Sequence, residues 1–206
     1  MSDLVLVGRS SSHFTRSARI FALELGVPHT FRPVFDLTAL DAENYAGNPA
    51  LKVPILMMNE GPLLGTENIC RELARRSDLG PRVVFRGDVA DRVVANAEEL
   101  ALHAMSTEVS LILAKLAGDA RLAPPKLWRS LENSLRYLDD HLAHVLAALP
   151  QGRLVSFLEV TLFAVVTHLP FREVMSVDGY PRLVEFCGQF GARSSARATE
   201  YAFDKP

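Results

Sequence analysis

The chain has 206 residues and a formal net charge of −2, and 49% of its residues are hydrophobic while 22% are charged. This composition is typical of a globular protein, and the length allows one large or two small domains with a buried core. Lysine and arginine form no basic stripe, so nucleic acid is not an expected partner. No apolar run approaches the roughly 20 residues that cross a bilayer, so no membrane association is expected either.

The cysteines and the first residues indicate the compartment. Cys70 and Cys187 are far apart in the sequence and lie in helical patterns, which predicts two thiols in a reducing environment rather than a disulfide. The opening segment MSDLVLVGRS has no basic region followed by a long apolar stretch, so no secretory signal is predicted. A cytoplasmic protein is therefore expected.

Residues 1–78 predict a small α/β domain. Gly26 is a suitable C-cap for the first helix, and Thr66 is the predicted N-cap of the second. The order β-α-β followed by β-β-α implies a mixed four-stranded sheet covered by helices. Apolar patterning predicts strands over 4–7, 30–34, 53–58 and 62–64, and helices over 15–25 and 66–75.

Residues 88–206 predict an all-helical domain, joined to the first by a linker over 79–87 that contains Gly80, Pro81 and Gly87. Before the most apolar of these helices, Ser156 and Glu159 have the spacing of a capping box, in which each side chain satisfies a backbone donor near the other residue. Helical spacing predicts helices over 88–117, from 124 onward through 146, over 156–169 and over 180–190.

The segment NPALKVPIL, residues 48–56, contains a proline inside an otherwise good strand. Proline removes a ladder donor, so it belongs at a strand edge or a strand start. A cis bond between Val53 and Pro54 would turn the Val53 backbone outward, where it could pair with an extended peptide ligand. A plain strand start after a turn explains the same pattern, and both interpretations remain open from the residues alone.

Several stretches, in order along nearly the whole chain, resemble the soluble, thioredoxin-related glutathione S-transferases. SHFTRSARIFALELG (12–26) resembles that family's S/C-P-F-S-R-K-V-R-L-A-L-E-E-L-G segment, and NPALKVPIL resembles its NP-x-G-K-VP-x-L segment, with Leu51 in place of glycine. GTENICREL (65–73) resembles E-S-x-A-I-x-x-Y-L. Ser156 and Glu159 stand at the family's S-x-A-D capping box, and GYPRLVEF and RSSARA resemble two late segments. The resemblance implies a thioredoxin-like N-terminal domain followed by an all-helical C-terminal domain.

The resemblance identifies the chain as a serine-type member, with Ser12 at the position of the catalytic residue. Its hydroxyl would donate a hydrogen bond to the glutathione thiolate and lower the thiol pKa. Thr15 stands where a second redox cysteine would be, so dithiol exchange is excluded. Ser10 or Ser11 could contact the thiol instead, or Ser12 could be only an N-cap or turn residue. No Gly-Lys-Ser/Thr follows the serines, so they do not form a P-loop.

The resemblance also implies how the tripeptide is held. The Val53 backbone, before Pro54, would pair with the cysteinyl part, and Thr66 would hold the γ-glutamyl carboxylate at a helix N-terminus. Lys52 could reach the glycine carboxylate, although a solvated surface lysine explains it equally well. Gly65 replaces the family's acidic or amide residue, so the partner of the γ-glutamyl ammonium is missing, and Glu67 is the nearest substitute in sequence.

The expected function is that of a glutathione transferase, which uses glutathione as co-substrate and conjugates it to a small hydrophobic electrophile. A two-fold homodimer is also implied. Gly65 and Leu51 motivate an alternative, a binding or regulatory module that keeps the fold but binds glutathione weakly or not at all. A glutathione-dependent isomerase or peroxidase would use the same site. His141 and His144 are three residues apart, but two ligands do not make a metal site, and no metal is expected.

Overall fold

The computed structural model describes residues 4–118 and 124–205. Contacts divide the chain into two units, one comprising the described residues of Met1–Val83 and Arg193–Pro206 and the other those of Val84–Ala192. Within the described ranges, no helix is long and apolar enough to cross a membrane.

The first unit is built on a four-stranded mixed sheet. In chain order, the elements are β1 (Val5–Gly8), α1 (His13–Glu24), β2 (Thr30–Pro33), β3 (Ile55–Met58), β4 (Gly61–Leu64) and α2 (Thr66–Arg75). The strands stand in the order β2-β1-β3-β4, with β1 parallel to β2 and antiparallel to β3, and β3 antiparallel to β4. This arrangement confirms the expected thioredoxin-like domain.

The apolar spacing of the two helices explains this architecture. Ile20 and Phe21 of α1 and Ile69 and Leu73 of α2 are fully buried, as is Leu6 of the central strand β1. Each helix therefore buries one apolar stripe, as a helix that covers a sheet does. The strands β2 and β4 are the edges of the sheet, and both contain a proline, which an edge tolerates because one side of its ladder is unpaired.

Two element boundaries differ from the sequence prediction for identifiable reasons. Helix α1 begins at His13 rather than Thr15, because the Ser12 side chain accepts a hydrogen bond from the Thr15 backbone and caps the helix two residues earlier. Strand β3 begins at Ile55 rather than Val53, after the proline that lacks a backbone donor. A short 3-10 helix over Ala42–Tyr45, which was not predicted, lies between β2 and β3.

The second unit is helical, which confirms the expected fold class. After the 3-10 turn Gly80–Arg82, the elements are β5 (Val83–Val84), α3 (Arg92–Leu116), α4 (Pro125–Ala148), β6 (Val155–Ser156), α5 (Phe157–Phe171) and α6 (Pro181–Gly191). Helix α5 is apolar on all sides and almost entirely buried, as is typical of the central helix of a bundle. Helix α3 packs against α4 and α5, and α6 packs against α4 and α5.

The last described residues return to the first unit. A short helix, α7 (Ser194–Arg197), follows α6, and Arg193 forms an ion pair of 2.8 Å with Glu24 at the end of α1. Arg16 of α1 donates to the Ala196 carbonyl at 3.2 Å, and its guanidinium lies 4.2 Å from the centre of the Tyr201 ring. The sequence places residues 193–206 in the helical domain, whereas these contacts place the described part of that segment against α1.

Candidate functional site

The turn between β1 and α1 is held by close packing. A side chain at Gly8 would overlap Thr15, so only glycine allows the strand to pass this close to the helix. Thr15 is fully buried, and its hydroxyl accepts a hydrogen bond of 3.3 Å from the Arg9 backbone. Thr15 is therefore a packing residue of the turn, and the turn holds the serine run in a defined position.

The three serines of this turn have different surroundings. Ser10 and Ser11 are buried, and their hydroxyl oxygens accept hydrogen bonds from Arg19 at 3.3 Å and from Arg9 at 3.1 Å, respectively. Ser12 is half-buried, and its hydroxyl oxygen accepts from the Thr15 backbone at 3.3 Å. Ser12 is thus the most accessible of the three, and its role as N-cap leaves the hydroxyl proton available for donation.

A buried asparagine organises the loop that leads into β3. The Asn48 side chain donates to the Lys52 carbonyl at 2.7 Å and accepts from the Ala50 backbone at 3.0 Å. The bond between Val53 and Pro54 is cis, as the sequence suggested. Sequence reasoning missed Asn48 as a site residue, although a polar residue directly before a proline is a signal for a turn.

Leu51 lies in this loop with a φ of 53°, in the left-handed region that favours glycine. This is the position at which the resembling segment has glycine. The leucine side chain packs against a buried cluster that includes Tyr45 and Ile55. Burial of an apolar side chain therefore offsets the backbone cost of a leucine at this position.

The start of α2 has no side-chain cap. Gly65 is the N-cap, with a φ of 89°, and among the described residues no side chain caps this helix. The prediction that Thr66 is the N-cap is wrong, because the positive φ of Gly65 lets the helix begin at Thr66 itself. The backbone N–H groups of the first turn therefore face outward at the positive end of the helix, as in sites that bind carboxylates.

Strand register brings the predicted binding residues to one end of the sheet, where β1 and β4 end and β3 begins. Val7 near the end of β1 pairs with Ile55 at the start of β3, and Ile55 pairs with Leu64 at the end of β4. The turn with Ser12 follows β1, the loop with Lys52, Val53 and Pro54 precedes β3, and Gly65 and Thr66 follow β4. All six predicted site residues therefore lie at the same end of the sheet.

Two of the predicted binding groups differ in how they are presented. Lys52 is exposed, so its ammonium is in contact with solvent. Glu67 accepts two hydrogen bonds from Arg71, of 2.8 and 3.1 Å, one helical turn further along α2. Glu67 is therefore already engaged within α2 and is a poor substitute for the side chain that Gly65 lacks.

The remaining titratable candidates have structural roles. Cys70 is fully buried on α2, and burial raises the pKa of its thiol well above the ordinary value, so it is not a thiolate at neutral pH. In the second unit, His144 contacts the Asp91 carboxylate at 2.9 Å, while the His141 ring stacks 4.0 Å from the Tyr137 ring. The two histidines thus have separate partners.

Comparison with known proteins supports the fold assignment. Residues 6–81 match the model of the glutathione S-transferase N-terminal domain. No protein with a curated description matches the chain significantly.

Several solved structures that are similar over nearly the whole chain are described as glutathione transferases or homologues of them. One from Pseudomonas fluorescens Pf-5, with bound glutathione, is 19% identical, with 97% of this chain and 99% of that chain covered and a TM-score of 0.81. One from Methylobacillus flagellatus KT, also with bound glutathione, is 18% identical over 97% and 100% of the two chains, with a TM-score of 0.80. The Tau class enzyme of mango, Mangifera indica, is 18% identical over 98% and 94%, with a TM-score of 0.74.

Proposed function

We propose that this protein binds glutathione and conjugates it to a small hydrophobic electrophile in the cytoplasm, because residues 6–81 match the model of the glutathione S-transferase N-terminal domain and the chain has the fold of solved glutathione transferases. The observation that supports this most directly is the strand register, which gathers Ser12, Val53 and Thr66 at one end of the sheet. Ser12 supplies a hydroxyl donor for the thiolate, the Val53 backbone can pair with the peptide backbone, and the uncapped helix start at Thr66 can bind a carboxylate.

Ser12 acts on the sulfur of the bound peptide. Its hydroxyl donates a hydrogen bond to the thiolate, and the positive end of α1 adds to the stabilisation, so the thiol pKa falls and more thiolate is present near neutral pH. The thiol proton goes to solvent. The thiolate then attacks the electrophilic carbon, a sulfur–carbon bond forms, and the leaving group departs with its electron pair. The serine stays uncharged throughout.

The rest of the tripeptide is held by backbone groups. Val53 pairs with the cysteinyl part, which the outward edge before the cis bond to Pro54 allows. The uncapped first turn of α2, together with the Thr66 hydroxyl, binds the γ-glutamyl carboxylate. Lys52, which is exposed, is the proposed partner of the glycine carboxylate. We propose further that the active form is a homodimer, which sedimentation would test against the monomer mass of 22.7 kDa.

The experiment is a calorimetric titration of glutathione into the wild type and into Ser12→Ala, with the thiolate measured by its ultraviolet absorbance across pH. We expect the bound thiol pKa to rise by about 1–2 units in Ser12→Ala, because a hydrogen bond to a charged group is lost. Ser12→Thr is the matched control, since threonine keeps both a hydroxyl and the capping oxygen. An unchanged thiol pKa in Ser12→Ala, with glutathione still bound, would remove Ser12 from the mechanism.

A second function, a binding module with weak or no affinity for glutathione, is favoured by one observation. Gly65 supplies no side chain at the helix start where an ammonium partner is expected, and its positive φ shows that the backbone there is built for glycine. The same titration separates the two functions: micromolar-to-millimolar binding supports the transferase, and no detectable heat with glutathione supports the module.

A further inference from the structure

The side chain of Asn68 lies beside Gly65. A Cβ atom at Gly65 would lie 3.3 Å from Nδ2 and 3.9 Å from Cγ of Asn68. Side chains of a helix lean toward its N-terminus and meet the residue three positions earlier, so Asn68 is placed to cover the helix start. The amide of Asn68 therefore lies in contact with the position at which a side chain on residue 65 would begin.

The sequence shows a matching exchange. In the resembling segment E-S-x-A-I-x-x-Y-L, the polar residue stands first and alanine stands fourth, whereas GTENICREL has glycine first and asparagine fourth. One polar group is lost at position 65 and one is gained at position 68, on the same face of the helix start. Together with the geometry, this indicates a relocation of the polar group and not its simple loss.

Hydrogen bonding fixes which end of the Asn68 amide is available. Its Nδ2 donates to the Leu64 carbonyl at 3.0 Å, and only the NH₂ end of an amide can make that bond. The carbonyl oxygen Oδ1 therefore faces away from Leu64, and among the hydrogen bonds of the described residues it accepts none. Since Asn68 is exposed, this oxygen is open to a ligand.

We infer that Asn68 Oδ1 accepts a hydrogen bond from the γ-glutamyl ammonium of glutathione, in place of the side chain that Gly65 lacks. The inference rests on the proposed function. It also completes the recognition of the γ-glutamyl head, because the open N–H groups of α2 take its carboxylate while the neighbouring amide oxygen takes its ammonium. Glu67 is not the acceptor, because its carboxylate is already paired with Arg71.

This arrangement selects peptides with a free amino group on the γ-glutamyl residue. A neutral amide oxygen forms a weaker bond with an ammonium than a carboxylate does, so moderate affinity is expected. A side chain at position 65 would be strained by the φ of 89°, and its Cβ would lie 3.3 Å from the Asn68 amide.

The test compares two ligands on two variants by calorimetry. The ligands are glutathione and glutaryl-cysteinyl-glycine, which keeps every group of glutathione except the ammonium. We expect the wild type to bind glutathione about tenfold more tightly than the analogue. Asn68→Ala should lose that tenfold preference, with weaker binding of glutathione and unchanged binding of the analogue.

Asn44→Ala is the matched control. The Asn44 side chain also donates to a backbone carbonyl, that of Asp36 at 2.6 Å, in the same unit but outside the residues proposed to hold glutathione. This variant should keep the preference for glutathione. If Asn68→Ala weakens both ligands equally, or neither, Asn68 does not bind the ammonium, although the proposed function survives. If the wild type binds neither ligand, the proposed function itself fails.

Discussion

Helices α5 and α2 begin in opposite ways. At the start of α5, the Ser156 hydroxyl accepts from the Glu159 backbone at 3.0 Å, and the Glu159 carboxylate accepts from the Ser156 backbone at 2.9 Å. At the start of α2, Gly65 offers no side chain, and no described side chain caps the helix. At every helix start, the first backbone N–H groups have no hydrogen-bond partner within the helix. In the proposed function, the capped start serves the fold and the uncapped start binds a ligand.

The closed start lies where water cannot replace the cap. Ser156 and Glu159 are buried, and Arg153 donates two hydrogen bonds to the Glu159 carboxylate, of 2.7 and 2.9 Å. Burial alone would raise the pKa of Glu159, but the hydrogen bonds from Arg153 and Ser156 outweigh it and hold that pKa below its ordinary value. The open start of α2, by contrast, has exposed residues at Gly65 and Asn68, so solvent satisfies its donors when no ligand is bound.

The largest expected effect is at the closed start. Glu159→Ala removes the carboxylate from a buried network and leaves Arg153, among the described residues, with only backbone carbonyls as partners, so we expect a loss of about 3 kcal/mol in the free energy of unfolding. Urea denaturation followed by circular dichroism measures this. A loss below ~1 kcal/mol would mean that the network contributes little beyond an ordinary cap.

A pair of substitutions tests the comparison directly. Ser156→Ala should destabilise the protein by about 1 kcal/mol, because a buried cap is lost. Thr66→Val, at the open start, should change stability by less than ~0.5 kcal/mol and weaken glutathione binding about tenfold. Denaturation and calorimetry of both variants are required. If Thr66→Val destabilises as much as Ser156→Ala, the start of α2 is structural and the distinction between the two helices fails.

The smallest expected effect is the pH dependence of the closed start. Because the folded pKa of Glu159 is depressed, its contribution to stability is present above the unfolded pKa, about 4.3, and is lost as pH falls from there through the folded pKa. The stability difference between the wild type and Glu159→Gln should therefore shrink as pH falls through this range. A difference that stays constant from pH 6 to pH 3 would show that the Glu159 charge does not contribute.

Features of the fold that depend on a local signal were predictable from the sequence. The spacing of Ser156 and Glu159 predicted the capping box, and a proline inside a strand pattern indicated the cis bond after Val53 as one of two interpretations. Local patterns were less informative about Thr66, which proved to be the first helical residue, because the helix start depends on the backbone angle of Gly65. They also missed Asn48, whose two hydrogen bonds depend on how its loop folds back toward Lys52.

Periodicity and turn chemistry, which depend on neighbours in the chain, determined the α/β and helical parts of this protein, the capping box of α5 and the residue types available at the site. The tertiary structure decided which of these residues meet. Strand pairing places the end of β1 beside the start of β3, and the start of β3 beside the end of β4. Ser12 and Thr66, which are more than fifty residues apart in the sequence, therefore lie at the same end of the sheet. The tertiary structure also set the last described residues against α1 and the Asn68 amide beside Gly65. Such neighbours depend on packing and backbone angles, which a pattern of residue types does not encode.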